Sequence, residues 1–437
     1  MQTNISESFR EAEAAWRDYE SLQDHYLYQT FDWLACWYET IGRHRSLKPC
    51  LVDVRDHEGS PLAFLPLALE KRLLGTALIW LGGDITDYHG PLLTAEGSAA
   101  LDDRAITYLF KALRKRFPSI LYADFRRQPA VIGGFDNPFF KMGKVIRSEA
   151  ALAATLDGDW PSYYAAKRSK KTRHNDRRKR RKLENLGTLA FVVAATPDEI
   201  DAQVAAMLMQ KDSYVARLGQ INSLLQRGHG EFLKRIAGGQ AMVGRPLLCA
   251  LKLDDQILAV QWGVLHRRRF YSIVASYDDG AFSRFSTGDI LLRELLARCF
   301  EDDVEILDFT CGDEPYKLAW CDQSLELEDR SLPLSAAGRV IVGANLAMAS
   351  IRHHARSLRT LRDAVAAVRG WTRRGILRRP AASASSPARH AELRKRLALE
   401  PESRSDGLVG LGHLRTEPHR VVTSTGLEKR QVTPPHR

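Results

Sequence analysis

Apolar runs of strand length alternate with amphipathic stretches of helical period along most of this 437-residue chain. The runs CLVDVRD (50–56), LAFLPLAL (62–69), ALIWLGG (77–83) and Ile120–Phe125 read as strands of a first region. Helical spacing places helices over Glu7–Leu22, Phe31–Ile41 and Asp102–Phe117. In a second region the strands are Thr188–Val193, PLLCALKL (246–253), ILAVQWGVLH (257–266), RRFYSIVASY (268–277) and Glu305–Phe309. Its helices cover Pro197–Leu218, Asn222–Ala237 and Asp289–Phe300. The last of these follows a strand through a small polar loop, Ser283–Gly288, and leads into another strand and a Gly-containing turn.

A weak internal repeat accompanies this order. LVDVRDHEGSPLAFLPLAL (51–69) parallels LCALKLDDQILAVQWGVL (248–265), each a strand, a polar turn and a second strand. The expected organisation is two related α/β units, 1–159 and 160–335. An Arg-bearing amphipathic helix follows over 336–378. A tail over 379–437, rich in Ser, Pro, Arg and Glu without period, is expected to be disordered.

Composition narrows the class. A hydrophobic fraction of 44% with eight Trp supports real cores. The polar, acidic N-terminus is unlike a signal peptide, and no apolar run approaches the roughly 18 residues that span a bilayer. The six cysteines show no CxxC and no paired metal spacing, so they read as thiols of a reducing, cytoplasmic compartment with no metal. The net charge of +11 is concentrated in Lys167–Lys182, with eleven Lys or Arg and one Asp, and in the stretch from Arg352. That run reads as a solvated helix, as a contact to an anionic glycan, lipid or phosphate, or as a nucleic-acid contact. Nucleic acid is disfavoured because no aromatic residues interleave with the charge. The Arg-rich helix could lie on an anionic membrane surface or pack on the second unit.

Three segments carry candidate chemistry. Ser286, Thr287 and Gly288 stand where a strand feeds a helix N-terminus, which either caps the helix or holds a phosphate on unpaired N–H groups. DFTCGDEPYK (308–317) brings Asp308, Glu314, Tyr316 and Lys317 to a strand's carboxyl end. It is a surface turn, or else it supplies a base (Glu314 or Asp308), an acid (Tyr316) and an anion-holding cation (Lys317). GGDITDYHGP (82–91) is a turn capped by Asp, or an acceptor site lined by Asp84, Asp87, Tyr88 and His89.

The segments LGGDITDYHGPLL (81–93), KLENLGTLAF (182–191), AVQWGV (259–264), YDDGAFSRFSTGDILL (277–292) and DFTCGDEPYK, in this order, resemble the Gcn5-related N-acetyltransferase (GNAT) superfamily. More narrowly they look like its CelD-like branch, associated with bacterial cellulose and exopolysaccharide production. Features are shared with the Fem-type aminoacyl transferases. The resemblance implies an α/β fold of two tandem GNAT-like units, each a mixed twisted sheet flanked by helices. It also implies an acetyl-CoA or other acyl-CoA donor. The donor's pyrophosphate would lie on Arg284, Phe285, Ser286, Thr287, Gly288 and Asp289, and its thioester carbonyl on the strand N–H groups of Ala275, Ser276 and Tyr277. The family's turn runs Gln or Arg, two residues, Gly, one residue, Gly or Ala. Here one glycine is displaced, to Gly288, and the second small residue is absent.

The expected function is acyl transfer to an amine or hydroxyl of an envelope or exopolysaccharide-related acceptor, in the cytoplasm or peripherally at the inner membrane. The alternatives are a Fem-type transfer from aminoacyl-tRNA and a catalytically silent GNAT-like binding protein.

Overall fold

The computed structural model describes residues 1–219, 221–241, 244–312, 314–351 and 354. The rest of the expected basic helix and the tail from 379 lie outside the described residues. The first half builds β1 (Gln2–Ser6), α1 (Phe9–Leu22), α2 (Phe31–Thr40), β2 (Leu47–Arg55), β3 (Pro61–Arg72) and β4 (Gly75–Trp80). Short β5 (Leu92–Leu93) and α3 (Ala95–Ala100) lead into α4 (Asp103–Arg116) and β6 (Ile120–Pro129). A small hairpin, β7 (Val131–Ile132) with β8 (Phe135–Asp136), precedes β9 (Lys144–Thr155).

The second half opens with α5 (Trp160–Lys167) and α6 (Lys170–Glu184), then β10 (Leu189–Val193), α7 (Pro197–Arg217) and α8 (His229–Ala237). It continues with β11 (Arg245–Leu253), β12 (Gln256–His266), β13 (Arg269–Tyr277), α9 (Thr287–Glu301), β14 (Ile306–Cys311), α10 (Pro315–Leu318) and β15 (Gln323–Pro333). A further helix covers 336–351. Side-chain caps start most helices: Ser8 for α1, Asp102 for α4, Asp159 for α5, Ser169 for α6, and a Thr196–Glu199 capping box for α7.

The two halves follow one plan. In each, an edge strand pairs antiparallel with the first of three antiparallel strands (β1 on β2-β3-β4; β10 on β11-β12-β13). A helix then crosses to a strand that pairs parallel with the third: β6 with β4, β14 with β13. The repeat seen in the sequence is the hairpin β2–β3 and its counterpart β11–β12.

The last strands of the halves trade places. β9 pairs with β14, β15 pairs with β6, and the two pair with each other from Gln323↔Ala153 to Ser331↔Lys144. Among the described residues one 13-stranded sheet therefore runs β1-β2-β3-β4-β6-β15-β9-β14-β13-β12-β11-β10, with β5 beside β3. By pairing, β9 belongs to the second half and β15 to the first, so 159/160 does not divide the sheet, whose last strand ends at Pro333.

Each half has its own core. Leu109 and Leu113 of α4 pack with Val52, Leu65 and Leu67; Leu291, Leu295 and Leu296 of α9 pack with Leu251, Phe309 and Trp320. Each fully buried side chain of this size contributes about 1.5–3 kcal/mol. An aromatic seam joins the halves: Trp33 meets Phe232 at 4.9 Å, and Tyr28 meets Tyr271 at 5.3 Å.

Candidate active site

The parallel ladder of β13 and β14 is short. It runs from Arg269↔Ile306 to Tyr271↔Asp308, and beyond it the strands diverge. The divergence has a local cause. Thr310 adopts a left-handed conformation (φ 57°), and its N–H donates to the Asp308 carboxylate at 2.8 Å, bending β14 away. Among the described residues the β13 edge from Ser272 to Tyr277 is left without a partner strand on that side, and it lines a cavity of about 700 Å³. In the first half β4 and β6 also part, after Leu78↔Ala123. There Trp80 fills the gap, 4.8 Å from Phe125 and 5.6 Å from Phe139.

One end of the cavity is the start of α9. Ser286 occupies the N-cap position with φ 58° and makes no side-chain cap. The N–H groups of Thr287, Gly288 and Asp289 precede the first intrahelical bond, from Ile290 N to Ser286 O, and are the helix's orphan donors. The Thr287 hydroxyl is buried and has no partner among the described residues. A Cβ on Gly288 would meet nothing nearer than Tyr277 Cδ1 at 3.5 Å, so the space above this glycine is open. Uncapped donors, an orphaned hydroxyl and open space fit a phosphate-bearing ligand.

The opposite wall comes from α7 and the turn after β14. Ser276 Oγ donates to Gln210 Oε1 at 2.7 Å, holding α7 against β13. The next residue, Lys211, lines the cavity and makes no hydrogen bond or ion pair with a described residue. Burial lowers its ammonium from the usual lysine range; Glu314 opposes that shift and Lys317 adds to it. Across the cavity Lys317 is buried and donates to Cys311 O at 2.7 Å and to Glu314 at 2.9 Å. Burial works against the Glu314 charge, but the hydrogen bond and charge of Lys317 outweigh it and hold the carboxyl below its usual range. Gly312 (φ 111°) permits this turn, since a Cβ there would lie 2.5 Å from Glu314 Oε2. Loss of solvation in the cavity wall, followed by the Glu314 charge, raises the Tyr316 hydroxyl above its ordinary value, so its proton stays on.

The structure sorts the expected site residues. Ala275, Ser276, Tyr277, Ser286, Thr287, Gly288, Asp289, Glu314, Tyr316, Lys317, Asp84 and Asp87 all line the cavity. Phe285 instead packs in the second core, and Arg284 lies over its ring at 4.9 Å outside the cavity. Asp308 is not an available base: it is fully buried and held by Tyr88 Oη at 2.6 Å and Arg269 at 2.9 Å. Tyr88 and His89 are buried beside the site rather than facing the cavity. Burial, followed by the charges of Arg127 and Arg126, pushes His89 down to about 3, so it is neutral.

Arg127, Gln210, Lys211 and Tyr214 face the cavity as well, and no sequence motif marks them. The α7 residues follow helical spacing, but nothing local says which way that face points. Arg127 pairs with Asp87 at 2.7 Å and with Glu149 at 3.1 Å. Burial pushes the Cys311 thiol up, so the one cavity cysteine is not a thiolate. Among the described residues no group of His, Cys, Asp or Glu could hold a metal, and no helix is long and apolar enough to cross a membrane.

No curated protein sequence matches the chain. Solved structures with a similar chain trace include FemX (TM-score 0.49, 11% identity, covering 75% of this chain and 97% of that one). L-PGS from Bacillus licheniformis gives 0.45 at 11% identity over 76% and 96%. A tandem GNAT protein from the clavulanic acid biosynthesis pathway gives 0.40 at 11% identity over 76% and 99%. Residues 170–318 match the family model described as an acetyltransferase (GNAT) domain. That segment, α6 through α10, supplies every cavity-lining residue apart from Asp84, Ile85, Asp87 and Arg127, so the half that carries the cavity is the half matched as an acetyltransferase domain.

Proposed function

We propose that this protein transfers an acyl group, acetyl in the simplest case, from acyl-CoA to an amine or hydroxyl of an envelope or exopolysaccharide-related acceptor. One observation carries the acyl-transfer reading: the unpartnered β13 edge leads directly to the uncapped start of α9. The edge would donate N–H groups from Ala275–Tyr277 to a thioester carbonyl, where charge develops in the transition state. The orphan N–H groups of Thr287–Asp289 and the Thr287 hydroxyl would hold the pyrophosphate.

The acceptor would enter between α7 and the 312–317 turn. Lys211 or Glu314 would take its proton, and Tyr316 would protonate the leaving thiolate. Attack is direct, with no covalent enzyme intermediate. The acceptor class rests on the sequence resemblance to the CelD-like branch. We place the reaction in the cytoplasm, with the Arg-rich segment after residue 351 as a contact to the inner membrane.

The test is acetyl-CoA binding by calorimetry and thermal shift, comparing the parent with Gly288→Trp. At a hundredfold its dissociation constant a ligand adds about 2.7 kcal/mol of stability. Binding lost in a variant that still melts cooperatively supports the reading, and turnover of an amine and sugar acceptor panel then identifies the substrate. If the parent does not bind acetyl-CoA or longer acyl-CoA, the reading fails, and aminoacyl-tRNA becomes the donor to try.

A further inference from the structure

The basic helix α6 has no part in the chemistry above. It is pinned to α9 by Arg293 with Asp176 at 3.5 Å, by Arg180 with Glu294, and by Lys179 Nζ donating to Ser286 Oγ at 2.6 Å. Lys179 thus stands at the turn that opens α9. Arg168, just before α6, faces Asp289 at 3.7 Å, so the acidic residue in α9's first turn is countered from the same side.

At about 100° per residue, Lys182, Lys171 and Arg178 continue from Lys179 around the flank of α6 on the side of that turn. Arg173, Arg177 and Arg181 lie on the opposite flank, beyond Arg180. Lys171, Arg178 and Lys182 are exposed, and none forms an ion pair with a described residue. This flank carries no carboxylate, whereas a merely solvated helix face mixes both signs. An ammonium is a point-charge phosphate receptor, and a guanidinium binds phosphate through paired donors.

We propose that Arg178 and Lys182, together with Lys179, form a second phosphate-binding surface outside the cavity, to which Lys171, about 12 Å further along α6 from Lys179, adds positive charge without direct contact. This surface takes the ribose 3′-phosphate of the donor, so the protein distinguishes CoA thioesters from their 3′-dephospho forms. This rests on the acyl-CoA reading above.

The experiment is calorimetric titration of the full chain with CoA and with 3′-dephospho-CoA. CoA is expected to bind about tenfold more tightly at low salt, with the gap shrinking as salt screens exposed charges. The triple variant Lys171→Gln/Arg178→Gln/Lys182→Gln, at exposed positions, should close the gap by weakening CoA alone and leave 3′-dephospho-CoA binding unchanged. Equal affinity of the parent for the two nucleotides overturns the surface and leaves the acyl-CoA reading standing. A gap that persists in the triple variant also overturns it. Binding of neither nucleotide overturns both.

Discussion

Tyr271 and Asp308 are the last facing pair of the parallel ladder between β13 and β14, and the cavity begins beyond them. Both side chains reach into the first half of the chain. The Tyr271 hydroxyl accepts from Leu27 N at 3.3 Å, and the Asp308 carboxylate accepts from Tyr88 Oη at 2.6 Å. The point where the strands part is therefore fixed by residues of both halves.

Asp308→Ala leaves the Arg269 guanidinium without its carboxylate and frees the Thr310 N–H. Removing one partner of a buried pair is strongly destabilising, and a loss of about 3 kcal/mol is expected by urea denaturation. Tyr88→Phe removes one neutral donor and should cost about 1 kcal/mol. If Asp308→Ala abolished acyl transfer while unfolding at the parent's midpoint, Asp308 would have a chemical role after all.

Thr287→Val removes a buried hydroxyl that has no partner among the described residues. Its stability should equal the parent's or exceed it by up to about 1 kcal/mol, since an unsatisfied buried group is destabilising. Acetyl-CoA affinity should nevertheless fall. A loss of stability with unchanged affinity would show that the hydroxyl serves the fold.

Lys211 separates a base from a fixed cation. Lys211→Arg keeps the charge but cannot deprotonate, and Lys211→Gln removes the charge. If the neutral amine takes the acceptor's proton, both variants lose about 100-fold or more in kcat, while acetyl-CoA binding is retained. Because burial lowers this ammonium, parent activity should fall as pH drops and the amine becomes protonated; in the variants that limb disappears. An active Lys211→Arg enzyme would assign the residue to anion binding instead.

His89 should make the fold acid-sensitive. Its folded-state value is depressed to about 3 from an ordinary 6.5, so the unfolded chain binds the proton more tightly. Stability is unaffected above about pH 7 and declines as pH falls from 6.5 toward 3, by roughly 3 kcal/mol at pH 4 for this residue alone. His89→Gln should flatten the decline in melting temperature across that window. An unchanged slope would place the acid sensitivity elsewhere, with His266, lowered to about 4, the next residue to test.

The strand exchange predicts that the halves do not separate. A fragment of residues 1–159 would leave β6 without β15 and β9 without β14, with unpaired strand edges prone to association. Fragments 1–159 and 160–351 should be insoluble or unfolded alone by circular dichroism. A cooperatively melting 160–351 fragment would show that the exchange is not needed for the second fold.

The amino-acid order by itself determined what local physics controls. Alternating apolar runs fixed β2–β3 and β11–β12, and helical spacing with a Ser-Thr-Gly turn placed α9 within two residues of its observed start. Those signals suffice because a hairpin and a helix both form between residues close in sequence. β9 (KVIRSEAALAAT) and β15 (QSLELEDRSLP) gave no clear period, since each is only partly buried and takes its hydrogen bonds from strands more than a hundred residues away. Only tertiary structure decided that Trp80 closes the first half's gap while the second half's stays open. It alone buried Asp308, Tyr88 and His89 and turned Lys211 into the cavity. Spacing along the chain says which residues share a face, but which face meets solvent, core or cleft depends on long-range pairing that no local window contains.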